Sequence, residues 1–265
     1  LLLLVFLLGE ETNGARLAIR IGPIAGQPSE LLKVLLVVFL AGYLTDHRPL
    51  LARDLRAGPL RLPPVPYLGP LLVMLGIAIA VVVIQRDLGA ALLYYGTFLA
   101  LLYVATRRAG WVAVGVLLGA LAAIVLYRSF GHVAVRVDAW LDPWADPLGS
   151  GYQALRALFA FGRGGVLGTG LGAGLPSVGG APAIPAIHND LVFAAIGEEL
   201  GLAGVVAVCG CYLVIAIRGL RIAVAAGDDF RTLLATGLTL VIVLQAVLIM
   251  AGVLKLVPLT GITLP

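Results

Sequence analysis

The chain has 265 residues, of which 61% are hydrophobic and only 12% charged, with a mean hydropathy of +1.07. Soluble domains run at about 45–50% apolar and about 25% charged, so the composition excludes an ordinary soluble enzyme and points to a membrane protein. The net charge of +4, from 18 Lys and Arg against 14 Asp and Glu, lies in short loops between apolar runs. With no basic face interleaved with aromatics, it argues against a nucleic-acid binder.

Taken in chain order, apolar runs of spanning type recur over residues 1–8, 31–44, 68–84, 88–105, 111–127, 191–217 and 233–254. The first is half a span, without the basic flank and small-residue cleavage site of a signal peptide. With no initiator Met, and an end at Pro265 directly after an apolar run, the sequence reads as a fragment of a longer protein. The run over 31–44 is short, so its ends are expected to reach the interface with Lys33 snorkelling. No alternation typical of a β-barrel is sustained. The expected fold is therefore all-α: a polytopic transmembrane helical bundle, one integral-membrane domain over 1–265. Cys209 and Cys211 sit two apart in one apolar run and point to different sides of a helix, so they read as small apolar filler.

Loop charge predicts orientation. Arg48, Arg53, Arg56, Arg61, Arg107, Arg108, Arg218, Arg221 and Arg231 fall on one side of the bundle, against Arg16, Arg20 and Arg86 on the other. The positive-inside rule assigns the first group to the cytoplasm. Residues 128–189 then form a large outer loop, long enough for its four arginines to escape the rule. A loop of that length is usually a binding surface or a lid, and Trp140 and Trp144 in it suit the membrane interface.

Several motifs stand out. Gln27-Pro28-Ser29-Glu30-Leu31-Leu32-Lys33 opens a span; Pro28 or Ser29 suits a helix start, Glu30 suits its dipole, and Glu30 can pair with Lys33. An ordinary capped helix start explains the same residues. Gln85-Arg86-Asp87-Leu88-Gly89 is a tight outer turn in which Asp87 can cap the next helix. Within the outer loop Arg136 is a candidate for phosphate or pyrophosphate, because its planar fork matches those oxygens. Gly151-Tyr152-Gln153 follows, and then six glycines occupy eleven positions from Gly164 to Gly174. That run fits neither a Walker A loop nor a dinucleotide fingerprint. It reads either as a flexible loop or as freed backbone amides lining an anion or sugar site.

Pro185 to Gly201 carries the strongest signal. Asp190 sits where the outer loop enters the membrane, and Glu198 and Glu199 follow inside the span. Intramembrane acids are functional by default. Eight residues of helix separate Asp190 from Glu198 by about 12 Å, so the two cannot act as a touching pair. Chemistry is therefore assigned to Asp190, with helix capping as its plain alternative, and structure between helices to Glu198 and Glu199. His188, beside that Asp, is a candidate contact or simply a solvated side chain.

Together these segments resemble the SEDS family (shape, elongation, division and sporulation), which includes FtsW, RodA and SpoVE. The resemblance rests on Gln27–Lys33 as Q-P-S-E-x-x-K and on Gln85–Gly89 as Q-P-D-L-G with Arg86 in place of Pro. Gly151–Gln153 matches the family's G-Y-Q, and the glycine run follows it. Pro185–Gly201 matches P-E-x-H-T-D-F…E-E-L-G, with Ala186 for Glu, Asn189 for Thr and Leu191 for Phe. Leu256–Pro265 matches L-P-x-T-G-x-x-L-P.

The resemblance implies a glycosyltransferase that polymerises lipid II (undecaprenyl-pyrophosphate disaccharide peptide) outside the bacterial cytoplasmic membrane. It also implies a class B penicillin-binding protein as partner transpeptidase. The family's essential acid falls on Asp190. Gln27, Glu30, Lys33, Asp87, Arg136, Tyr152, Gln153 and His188 are the expected substrate contacts, and a divalent cation (magnesium or manganese) is a candidate aid with no ligand cluster of its own. A precursor flippase and a non-catalytic scaffold of the cell-wall machinery are the rival functions.

Overall fold

The computed structural model describes residues 10–12, 15–21, 24–26, 28–51, 55–57, 60–62, 65–85, 87–174 and 190–265. Gln27, Arg86, His188 and the run over 1–8 lie outside them. The described chain divides into two compact units, residues 1–117 with 217–241 and residues 118–216 with 242–265.

In the first unit, β1 (Glu10–Thr12), β2 (Ala15–Ile21) and β3 (Ile24–Gly26) pair antiparallel in chain order, and β4 (Leu55–Ala57) pairs with β5 (Leu60–Leu62). Strands of three to seven residues are too short to register as sustained alternation, and the architecture they decorate is helical. The helices are α1 (Pro28–Leu51), α2 (Val65–Ile84), α3 (Leu88–Thr106) and the start of α4 (Ala109–Ser129). The expected short span over 31–44 is the middle of the 24-residue α1, which Pro28 opens as a first-turn proline and Glu30 follows on the dipole's positive end.

Lys33 does not snorkel. It is buried and ion-paired with Glu30 at 2.5 Å, one turn back, because its face of α1 turns inward rather than toward lipid. The Tyr94 hydroxyl donates to the Ser29 carbonyl at 2.9 Å and ties α3 to the same turn. Asp87 caps α3 by accepting from the Ala90 amide at 2.9 Å, as its position predicts. Leu36, Leu40, Leu44, Leu71, Leu75, Tyr94, Phe98 and Leu101 close the core between α1, α2 and α3.

In the second unit the described part of the stretch read as an outer loop carries helices too short to cross a membrane: α5 (Gly131–Leu141), a 3-10 turn (Pro143–Ala145) and α6 (Tyr152–Gly164). Asp146 organises the link, accepting from the Ser150 and Gly149 amides at 2.8 and 3.1 Å. The expected single span over 191–217 is broken into α7 (Val192–Glu199) and α8 (Gly201–Ala225), and α9 (Asp229–Val253) completes the described helices.

The glycine run explains the break. At the end of α7 the amides of Thr169 and Gly170 donate to the Glu198 and Glu199 carbonyls, each at 3.0 Å. At the start of α8 the Leu202 and Ala203 amides donate to the Gly165 and Val166 carbonyls. Helix ends normally leave such groups unmet, and here one loop caps both. Space forces glycine: a Cβ on Gly168 would lie 2.1 Å from the Glu199 oxygen, and one on Gly201 would lie 2.4 Å from the Gly168 nitrogen. Both residues also have positive φ, +79° and +63°. These amides close a helix break.

Five of the described helices are long and apolar enough to cross a membrane: Tyr67–Ile84 within α2, then α3, α4, α8 and α9. Along α4 the side chains of Val114, Leu117, Leu118, Leu121, Ile124 and Val125 are exposed, as expected of a face that meets acyl chains rather than water.

Candidate functional site

A recess of about 100 Å³ opens in the second unit, and Asp190 lines it together with Arg136, Trp140, Ser150, Gln153 and Lys255. Each wall has a local cause. On α5, Val135, Arg136, Ala139 and Trp140 recur at helical spacing and so share one face. The Arg136 Nη1 donates to the Thr260 carbonyl at 3.0 Å, and Gly261, at φ +74°, lies beside the same guanidinium. One turn further along α5, the Trp140 indole donates to the Lys255 carbonyl at 3.0 Å. Trp140 thus braces the recess, whereas Trp144 is exposed and packs edge-on against Phe159.

Asp190 is held by its neighbour. Leu191, fully buried, joins Phe193 and Ala194 of α7 in a core with Ala157 and Ala160 of α6 and Ala246, Ile249 and Met250 of α9. The N-cap position of α7 is Leu191, with no side-chain cap bond. The far end of α7 is fastened by an ion pair between buried Glu198 and Arg163 of α6. Glu199 lies against Gly174: a Cβ there would stand 2.9 Å from its Oε1.

Of the expected contacts, Asp190, Arg136 and Gln153 come together. Tyr152 does not line the recess; the Arg156 guanidinium sits over its ring at 4.9 Å. Glu30, Lys33 and Asp87 belong to the first unit. Lys255 and Ser150 escape sequence reading, although a single Lys between Leu254 and Leu256 after a long apolar run is a signal that could have exposed the former. Among the described residues no group of three or more His, Cys, Asp or Glu is placed to hold a metal ion. One carboxylate beside two cations suits proton removal from a hydroxyl next to a phosphorylated leaving group.

Comparison with known proteins supplies the context. The family model described as cell cycle protein, for FtsW, RodA and SpoVE, matches residues 1–265. The peptidoglycan glycosyltransferase RodA of Mycobacterium bovis is 44% identical over 259 residues, 96% of this chain and 54% of that protein. A probable peptidoglycan glycosyltransferase FtsW of Geobacter metallireducens is 34% identical over 267 residues, 100% of this chain and 68% of that protein. The structure of a peptidoglycan synthase complex that coordinates polymerization and crosslinking matches with a TM-score of 0.72 at 28% identity, covering 100% of this chain and 71% of that one. The chain thus spans about half the length of the RodA relatives it matches.

Proposed function

The chain belongs to the FtsW, RodA and SpoVE family of cell cycle proteins, and on that footing we propose that the protein is a peptidoglycan glycosyltransferase polymerising lipid II. Family membership and five span-length helices make it a multi-pass membrane protein. The proposed location is the bacterial cytoplasmic membrane, with the recess at its outer face, serving division or cell shape. The observation that carries the reading is that Asp190 shares one recess with Arg136 and Lys255.

In the proposed reaction Asp190 takes the proton of the acceptor's sugar 4-hydroxyl. The freed oxygen pair bonds to the donor's anomeric carbon as that carbon's bond to phosphate oxygen breaks. Undecaprenyl pyrophosphate leaves with the bonding electrons, and Arg136 offsets the charge it gains. A magnesium or manganese ion assisting departure would be carried largely by the substrate's phosphate oxygens. The proposed partner is a class B penicillin-binding protein that cross-links the glycan.

The test is Asp190→Asn in the full-length protein with purified lipid II. Glycan polymer should fall at least a hundredfold while folding is retained. Wild-type polymer yield from that variant rejects the assignment. Movement of labelled lipid across a bilayer without polymer would instead identify a flippase, and retained partner binding without any activity in the wild type a scaffold.

A further inference from the structure

Lys255 occupies a backbone position that a lysine should avoid. At the end of α9 the Leu256 amide donates to the Ala251 carbonyl at 2.8 Å and the Lys255 amide to the Gly252 carbonyl at 3.0 Å. This pair of bonds makes Lys255 the residue just past the helix end, in the left-handed conformation at φ +60°. Glycine dominates there because a side chain crowds the backbone. An unfavourable backbone held by its surroundings is a pointer to function. The surroundings are specific: the Trp140 indole pins the Lys255 carbonyl, and the residue lines the same recess as Arg136 and Asp190. Among the described residues no carboxylate pairs with Lys255. The single hydrogen bond from Arg136, to Thr260, leaves the other donors of its five-donor fork uncommitted within that set.

We infer that Lys255 and Arg136 together seat one phosphate group of the lipid-linked donor, with Lys255 the second cation of a two-cation clamp. This deepens the proposed function and rests on it. The chemistry divides by geometry. A planar fork grips two oxygens of one phosphate, and a compact ammonium takes a third direction as a point charge. Both line the same recess as the carboxylate proposed to deprotonate the acceptor. The charge that appears on the leaving phosphate therefore grows beside two cations as the proton reaches Asp190. A helix C-terminus also favours a nearby cation through its dipole, but that preference does not require a lysine in the left-handed position.

The left-handed backbone makes the test clean, because Lys255→Gly removes the amine while improving the cap. The full-length protein, Lys255→Gly, Lys255→Arg and Arg136→Ala are compared in three measurements: thermal unfolding, calorimetric binding of inorganic pyrophosphate, and lipid II polymerisation. Lys255→Gly should unfold at the wild-type temperature or above, bind pyrophosphate about tenfold more weakly, and show a matching rise in KM. Lys255→Arg should stay near wild type. Unchanged pyrophosphate affinity in Lys255→Gly overturns the clamp, as does a wild type that binds pyrophosphate no better than acetate at equal ionic strength. A fall in unfolding temperature that tracks the loss of binding overturns it in favour of a cap role. Since pyrophosphate binding needs no turnover, an active Asp190→Asn variant would defeat the proposed base and leave this measurement to judge the clamp separately.

Discussion

Replacing Arg163 by Met strands the Glu198 carboxylate. The Glu198 side chain is 3% exposed and its ion pair with Arg163 ties α7 to α6, whereas Arg163 is 38% exposed. Two unit charges about 4 Å apart attract by about 4 kcal/mol at the effective dielectric of 20 that suits protein sites. Removing one partner of a fully buried pair destabilises by about 3–5 kcal/mol. Water reaches the arginine end here, so the expected loss is about 2–3 kcal/mol. Glu198→Gln in the Arg163→Met background removes the stranded charge and should recover more than half of it. Thermal unfolding of the full-length protein in detergent, followed for the four members of the double-mutant cycle, measures the coupling. Additive losses, with the double variant no better than the sum of the two singles, would refute the argument that this pair fastens α7.

Two further outcomes follow from the same unit. Gly168→Ala combines a Cβ 2.1 Å from the Glu199 carbonyl oxygen with a φ of +79°, and overpacking on a strained backbone should destabilise by roughly 2–4 kcal/mol, read as a lower unfolding temperature. At Asp146, the Ser150 amide foremost, then the Ser150 hydroxyl and the Gly149 amide, hold the carboxyl below the ordinary aspartate value of 3.8. A depressed folded value stabilises above the unfolded pKa and is lost as pH falls through the folded one. The stability gap between wild type and Asp146→Ala should therefore be full above about pH 5 and close below pH 3.8, which unfolding scans at stepped pH would check.

Much of the helical frame is readable because bilayer-length apolar runs carry their own period-independent signal, as in residues 68–84 and 88–105. The Asp87 cap and the Glu30–Lys33 pair were legible for a similar reason: each depends on residues within one helical turn. What the sequence concealed was tertiary. Leu191 to Ile217 is apolar enough to read as one helix, and the break at Gly201 arises only because a loop some thirty residues upstream caps both new ends. The inward turn of Lys33 was hidden because burial belongs to the whole bundle, not to a snorkelling rule applied to one helix. Asp190 was visible as an acid beside an apolar run. Lys255 was not, since its meaning lies in a backbone angle and in a tryptophan 115 positions earlier.

The shortness of α7 turns it into a lever. Eight residues of helix make a rod about 12 Å long, with the acid at one tip and the Gly201 pivot at the other. A tilt of about 10° at the pivot swings the carboxylate by about 2 Å, and misplacement by about 1 Å can slow a reaction a hundredfold. Substitutions at Gly164 or Gly168, which press on the pivot end of α7, should therefore lower the unfolding temperature and, on the proposed role of Asp190, reduce turnover as well.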